Sequence, residues 1–340
     1  MVDRRAFLNS ALVGVATSTT GQWIEALQEE DLQSVPTVEA LRALDEEAGV
    51  VFVAGYHNAG DGGGGVFMWD AEATSDNRGD SIAPARIAEM RDRPPGRWVR
   101  WQQTDTYDVR TYGAHPEQAE NSEAFQACLD AAARKGGSVY VPAGIYRITR
   151  PLIMQPRVTM YGEGTASVIR KTANTLGPSV RRTLPNRDVS DAYDVDCVIA
   201  VDRPNTALKF SPDVHIRNLN LQGRGHPEGN QARRNTYGLY APRLIRAQIE
   251  NVSVTGVDVG FHFNEIIISR ISGCRASRGR IGFHIPDPRT GGGTSMSLIN
   301  CYAAQMDRWG YRFRGLSYST LIGCACDHVN KEKSAGGYFF

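Results

Sequence analysis

Gly238-Leu239-Tyr240-Ala241, Gly260-Phe261-His262-Phe263, Gly282-Phe283-His284-Ile285, Gly310-Tyr311-Arg312-Phe313 and Gly337-Tyr338-Phe339-Phe340 are five versions of one phrase. Each has a glycine, an aromatic residue or leucine, a variable residue and an apolar one. Successive glycines stand 22, 22, 28 and 27 residues apart. A second phrase runs in phase with the first: Asn251-Val252, Gly273-Cys274, Asn300-Cys301 and Gly323-Cys324, with steps of 22, 27 and 23. Two markers that advance together define one structural unit per step. Apolar residues alternate within each phrase, the period of a β-strand. Units this short cannot bury an apolar face alone. Stacked, they pair strand on strand at about 4.8 Å and share one core. The expected architecture is an all-β solenoid, a parallel β-helix.

Stacking turns each repeat position into a column. Positions 261/263, 283/285 and 311/313 point inward, and Val252, Cys274, Cys301 and Cys324 form a second inward column. Cysteine behaves there as a small apolar filler. A metal cluster would need histidines in the same column, and it has none. His262, His284 and Arg312 fall between inward residues and are expected to face outward. Asp258, Arg280 and Arg308, each two residues before a repeat glycine, form a second outward column. Such columns are either a solvated polar wall or part of a groove for an acidic sugar chain. In a groove, arginines pair with carboxylates and a histidine moves protons near neutral pH. The stretches 224–235 and 286–294 lengthen particular turns and are expected to edge the binding face.

Upstream lies Asp108-Val109-Arg110-Thr111-Tyr112-Gly113-Ala114. A helical stretch follows, with Asn121 or Ser122 as N-cap and Ala124, Phe125, Cys128, Leu129 and Ala132 on one face. Lys135-Gly136-Gly137 ends it, and the strand Ser138-Val139-Tyr140-Val141-Pro142, the turn Ala143-Gly144 and Tyr146-Arg147-Ile148 come next. From 108 to 169 this order resembles the start of the pectate-lyase-like superfamily, the rhamnogalacturonase and tailspike type related to glycosyl hydrolase family 28. The resemblance implies a right-handed parallel β-helix whose N-terminal helix plugs the first coil. It also implies work on polysaccharides.

Before the solenoid, Thr37 to Leu44 reads as a short capped helix, Val50 to Tyr56 and Val66 to Asp70 as strands, and Gly96 to Trp101 as another strand. The run Gly60-Asp61-Gly62-Gly63-Gly64-Gly65 leads into a strand with no Lys-Ser/Thr after it, so it reads as a turn and not a phosphate loop. Gly55-Tyr56, Ala59 to Gly65, Phe67, Trp69-Asp70 and Gly96 to Trp98 resemble a small α+β module found before the β-helix of phage tailspikes and bacterial surface enzymes. The opening Arg4-Arg5-Ala6-Phe7-Leu8 resembles a twin-arginine export signal, the alternative being a short helical or unstructured start. The expected organisation is 1–33 export signal and linker, 34–103 connecting module and 104–340 β-helix. Location is then secreted, periplasmic or cell-surface.

Net charge is +1, with 38 basic and 37 acidic residues, so bulk charge gives no reason to expect a nucleic-acid partner. No apolar run reaches the roughly 18–20 residues of a membrane span. Two reactions stay open. A hydrolase needs two carboxyl groups roughly 5–10 Å apart. Asp258, Glu265, Asp287, Asp307 and Asp327 are candidates, and Asp307 and Asp327, 20 residues apart, are expected on neighbouring rungs. A lyase needs a base beside a uronate and a cation to neutralise its carboxylate. His262 or His284 with Arg280, Arg308 or Arg312 would serve, which puts lyase slightly ahead. No cofactor is expected. Ca²⁺ suits such chemistry, but no dense aspartate cluster supports it. The reading from another class is a glycan-binding adhesin or tailspike-like structural coil that does not cleave. The end at Gly336 to Phe340 reads as the start of a coil without a cap, so more coils, or burial in an oligomer such as a homotrimer, are expected there.

Overall fold

The computed structural model describes residues 32–44, 49–102, 104–173, 180–183, 190–193, 196–201, 210–225, 236–286, 292–328 and 336–339. Arg4-Arg5, most of 224–235 and Asp287 lie outside them. The chain divides into two units, Met1–Trp101 and Gln102–Phe340.

In the first unit, strands Leu32–Val35, Val50–Val53, Gly65–Asp70, Arg97–Arg100 and Ser81–Ile82 form one five-stranded sheet in that order. Its first pair is parallel and the rest antiparallel. Val51, Val53, Phe67, Ile82 and Trp98 pack with Leu41 of the helix Val38–Arg42 into a core of their own. The glycine-rich turn has a definite organiser. The Asp61 carboxylate accepts backbone N–H bonds from Tyr56 (2.9 Å), His57 (2.7 Å), Asn58 (3.0 Å) and Gly63 (2.8 Å). The run is thus a turn, as read from the sequence, organised by the chain's own carboxylate, whose pKa these donors hold below its usual range despite partial burial.

The second unit is a right-handed parallel β-helix. The strand Thr106–Asp108 opens the first rung beside Ser138–Val141. The helix Ser122–Ala133 lies across it, burying Ala124, Phe125, Cys128, Leu129, Ala131 and Ala132 in the common core. Asn121 stands at the N-cap, but its side chain does not cap the helix. Its Oδ1 accepts from the His115 N–H (2.7 Å) and its amide donates to the Arg147 carbonyl (3.1 Å), stapling the helix to the neighbouring loops.

Successive coils pair in register. Leu239, Phe261, Phe283 and Tyr311 stand one above another. Phe261, Phe283 and Tyr311 stack nearly parallel, with centroids 4.8 and 5.0 Å apart. The repeat glycine just before them is a spacing requirement. A Cβ on Gly260 would sit 2.6 Å from the Gly282 carbonyl and 2.8 Å from the Ala276 methyl, and one on Gly282 would meet Gly310 and Ala303 in the same way. The coils approach so closely there that only hydrogen fits.

The second phrase has a different cause. Asn218, Asn251, Gly273, Asn300 and Gly323 all have φ between +52° and +63°. They form a corner where every coil turns through the left-handed region, which asparagine and glycine enter most cheaply. Asp213, Arg246, Ile268, Ser295 and Tyr318 make a second such corner, and Gly256, Arg278, Gln305 and His328 a third. The cysteine after the first corner points inward as expected. Cys274, Cys301 and Cys324 each direct a thiol at a carbonyl of the coil before (3.4–3.6 Å), although Cys324 is only half-buried. An antiparallel hairpin, Val180–Thr183 with Ser190–Tyr193, departs from the coil and approaches strand Thr236–Ile245.

Candidate functional site

The outward column exists as read from the repeat, and it begins one rung earlier. Tyr240, His262, His284 and Arg312 pair in register on four successive strands. It is not a solvated wall, however. His262 is only 7% exposed, Tyr240 is buried and His284 is half-buried. The rings cover one another: Tyr240 stacks on His262 at 5.0 Å and 11°, Tyr237 packs edge-on against both, and His284 meets His262 at 5.1 Å. His262 Nδ1 lies 3.2 Å from His284 Nδ1, and His262 Nε2 lies 2.9 Å from Asn264 Oδ1.

Two polar atoms of this cluster, His284 Nε2 and Asn264 Nδ2, are buried with no hydrogen-bond partner among the described residues. Buried polar atoms are almost always satisfied, so two exceptions side by side call for an explanation. Burial, then His262, Arg312, Arg280 and Arg314, push the His284 pKa down to about 2. Its ring is therefore neutral in the free protein. Burial together with Arg314, Arg308 and Arg280 also holds the Arg312 guanidinium below its usual range, a sign of like charges gathered around one position.

The second outward column needs correction. Asp258 is 3% exposed and engaged in a two-point ion pair with Arg280 of the next coil (2.8 and 2.9 Å). Its backbone N–H donates to Thr236 Oγ1 (2.9 Å). It serves to seat Arg280 and is not open to substrate. A register shift between Gly279 and Ile281 inserts a residue on the strand Tyr302–Phe313, so Arg308 does not continue the column evenly. Arg308 is half-buried, and its Nε has no partner among the described residues.

The expected carboxylate pair is also not formed. The rung partner of Asp327 is Ala304, three residues before Asp307. Between Ala304 and Asp307 the chain turns through the left-handed corner at Gln305, so the two carboxylates do not stand opposite each other on paired strands. The 20-residue spacing misled because the coil between these strands is not 20 residues long. Asp327 is exposed and bonded to Tyr302 (3.3 Å) and His328. Glu265 is paired with buried Arg243 (2.6 Å), whose guanidinium lies over Phe210 at 4.5 Å.

A small cleft is lined by Lys171, Asp196, Cys197, Arg224, Thr236 and Tyr237 among others. Lys171 is buried and ion-paired with Asp196. Burial raises the Cys197 thiol, so it is inert at neutral pH. Tyr237 joins cleft to ladder, since the ring that walls the cleft also packs on His262. The repeat phrase already contained a signal for Tyr240, at the position of His262, and for Asn264, two residues on and on the same face. Tyr237 and Lys171 had none. Among the described residues no group of three His, Cys, Asp or Glu side chains is placed to hold a metal ion.

The profile of rhamnogalacturonase A/epimerase, pectate lyase-like, matches residues 106–302, more than half of the chain. The chain belongs to this family. In the same comparison, residues 34–104 of this pectate-lyase-like chain match a phage tail protein small four-stranded β-sheet domain. No curated protein matches in sequence. Among solved structures, the chain is similar to the gp42 tailspike of Acinetobacter phage vb_AbaP_AS12, with TM-score 0.72 and 20% identity over 89% of this chain and 50% of that one. It is similar to the tailspike gp49 of Acinetobacter baumannii bacteriophage Fri1, a capsular polysaccharide depolymerase, with TM-score 0.56 and 17% identity over 87% and 62%. It is also similar to Pantoea stewartii WceF, a glycan biofilm modifying enzyme, with TM-score 0.54 and 12% identity over 90% and 49%. At these identities the likeness carries the fold. The chain spans about half to three-fifths of these proteins' lengths.

Proposed function

We propose that this pectate-lyase-like chain cleaves an acidic polysaccharide by β-elimination at the His262–His284–Arg312 face. The observation that carries the reading is the pairing, in one column, of an imidazole with a bare buried nitrogen and a half-buried guanidinium crowded by others of its kind. That pair of groups is what elimination beside a uronate carboxylate requires. Arg312, supported by Arg280 and Arg308, holds the carboxylate and stabilises the charge that develops on it. Substrate binding must first uncover His284 Nε2, which is buried in the free protein. It then takes the C5 proton, the C5–H electrons form the C4=C5 double bond, and the C4–O glycosidic bond breaks with its electrons going to the leaving oxygen. That oxygen then takes a proton from solvent. Hydrolysis fits less well, because Asp258 and Glu265 are committed to Arg280 and Arg243 and Asp307 and Asp327 are not rung partners.

The free-protein pKa of His284 is low chiefly because the ring is buried, with His262 and then Arg312, Arg280 and Arg314 adding to the shift. A bound carboxylate offsets the arginine part of it and so raises the basicity of His284. The phage and biofilm proteins of like fold, one a capsular polysaccharide depolymerase and the other a glycan biofilm modifying enzyme, support a polysaccharide substrate for this chain. Export through Arg4-Arg5 belongs to the same reading, since such substrates lie outside the cell. Replacing both arginines by lysine is expected to retain the protein inside.

The test is turnover on a panel of uronate-containing polymers. Ultraviolet absorbance of an unsaturated product is expected, and His284→Gln should abolish it. New reducing ends without that absorbance would make the protein a hydrolase. Retention on an immobilised glycan without cleavage on a broad panel would make it an adhesin.

A further inference from the structure

The histidine pair has an internal order that follows from hydrogen-bond bookkeeping. Asn264 turns Oδ1 toward His262 Nε2 at 2.9 Å. A carbonyl oxygen only accepts, so His262 Nε2 carries a hydrogen. We take His262 as neutral, in which case its other nitrogen carries no hydrogen, and here it is the Nδ1 that faces His284 Nδ1 at 3.2 Å. Two bare nitrogens at that distance would repel. His284 Nδ1 must therefore carry the hydrogen and donate it. With the His284 ring neutral, its remaining nitrogen, Nε2, is the bare one. It is also the atom that is buried with no partner among the described residues.

We infer that Asn264 and His262 are positioning residues that hold His284 in its Nδ1–H tautomer and leave Nε2 as the site's proton acceptor. The inference rests on reading this face as a proton-abstracting site. The chain of bonds runs Asn264 Oδ1, His262 Nε2–H, His262 Nδ1, His284 Nδ1–H, across two coils. Register makes it possible, because His262 and His284 are rung partners and Asn264 lies two residues along on the same face. When His284 Nε2 takes a proton, the imidazolium keeps its Nδ1–H bond to His262, which stabilises the charged product of the step. The groups facing His284 are His262 on the preceding coil, Arg280 on its own strand, and Arg312 and Arg314 on the following one. The ring contacts of Tyr237 and Tyr240 hold His262 in plane.

Nitrogen NMR of the protein carrying ¹⁵N-histidine tests this without substrate. The His284 signals are assigned by their loss in His284→Gln. The expected result is a protonated Nδ1 and a bare Nε2 on His284, unchanged from pH 8 to pH 5. His262→Phe preserves a ring to stack on Tyr240 but removes the acceptor. It is expected to shift His284 largely to the Nε2–H tautomer, which free neutral imidazole prefers, and Asn264→Leu to mix the two. On a cleaved polymer, His262→Phe should lower kcat about 100-fold, the range of general-base catalysis, with KM within about two-fold. A wild-type His284 protonated on Nε2 overturns the inference, as does a folded His262→Phe protein with unchanged tautomer. If His262→Phe does not fold, the wild-type spectrum decides alone. A protein inactive on every uronate polymer but showing the expected tautomer defeats the lyase reading and leaves this assignment standing.

Discussion

At the scale of single residues, His284 and Arg312 differ from their neighbours in having surroundings that work against their charged forms. For His284 this has a consequence in stability. Its folded pKa lies far below the 6.5 of the unfolded chain, so the unfolded state binds a proton the folded state refuses. Stability therefore falls as pH drops below 6.5, by the rule that the state binding more protons gains at lower pH. Carboxylates held low by partners, such as Asp213 beside Arg246 or Asp61 in its turn, act only below about pH 4 and do not overlap that window. Urea melts at pH 6.5 and 5.0 should show a loss for the wild type that is flattened in His284→Gln. An unchanged difference would mean that the burial of His284 is relieved in solution. Arg312→Gln is expected to cut kcat/KM by about 100-fold or more if it neutralises the developing charge, with the stability at pH 7 little changed.

At the scale of elements, the coil is set by its corners and by the glycine between its walls. Ile268 is a β-branched residue with φ of +48° and is 58% exposed. Its left-handed conformation costs roughly 1–2 kcal/mol that asparagine or glycine largely avoids. Ile268→Asn should raise the melting temperature, and a fall would show that the side chain has packing value. Gly282→Ala tests the opposite case, in which space and not φ is limiting. With a backbone carbonyl 2.5 Å from the new methyl, the neighbouring coil must move, and a loss of about 1–3 kcal/mol is expected by chemical denaturation. Phe283 is fully buried between Phe261 and Tyr311, and Phe283→Ala should cost about 3–5 kcal/mol.

At the scale of the whole molecule, the described residues form one core under the five-stranded sheet, one running up the β-helix, and a smaller separate cluster of Ile153, Cys197, Ala200 and Tyr240. Asp61→Ala removes an acceptor of four backbone bonds and should increase hydrogen exchange in residues 55–65. Exchange across the coil strands 259–285 should be unaffected, because among the described residues the bonds of Asp61 stay within its own turn. The long sheet also explains why function is hard to place from a fold of this type. Every coil offers the same outward positions, and only the side chains that fill them, here Tyr240, His262, His284 and Arg312, distinguish one stretch of the wall from the next.

The repeat, the aromatic ladder, the inward cysteines and the His–His–Arg column were all legible in the sequence, because a strand's two-residue period and a coil's length fix which residues stack. What the repeat could not supply was anything that depends on local deviation from it. The shift between Gly279 and Ile281 and the offset of Asp327 from Asp307 arise where a coil gains or loses a residue, and the two-point closure of Asp258 on Arg280 depends on side-chain partners that the repeat does not name. The burial of the imidazoles is of the same kind. Tyr237 lies three residues before its rung's Tyr240, yet it folds onto the ring of the coil above. The sequence by itself determined the solenoid and the order of its columns, since periodicity is a property of the chain. Only the tertiary structure decided which of the outward groups are spent on one another and which nitrogen is left bare, since partners there come from other coils.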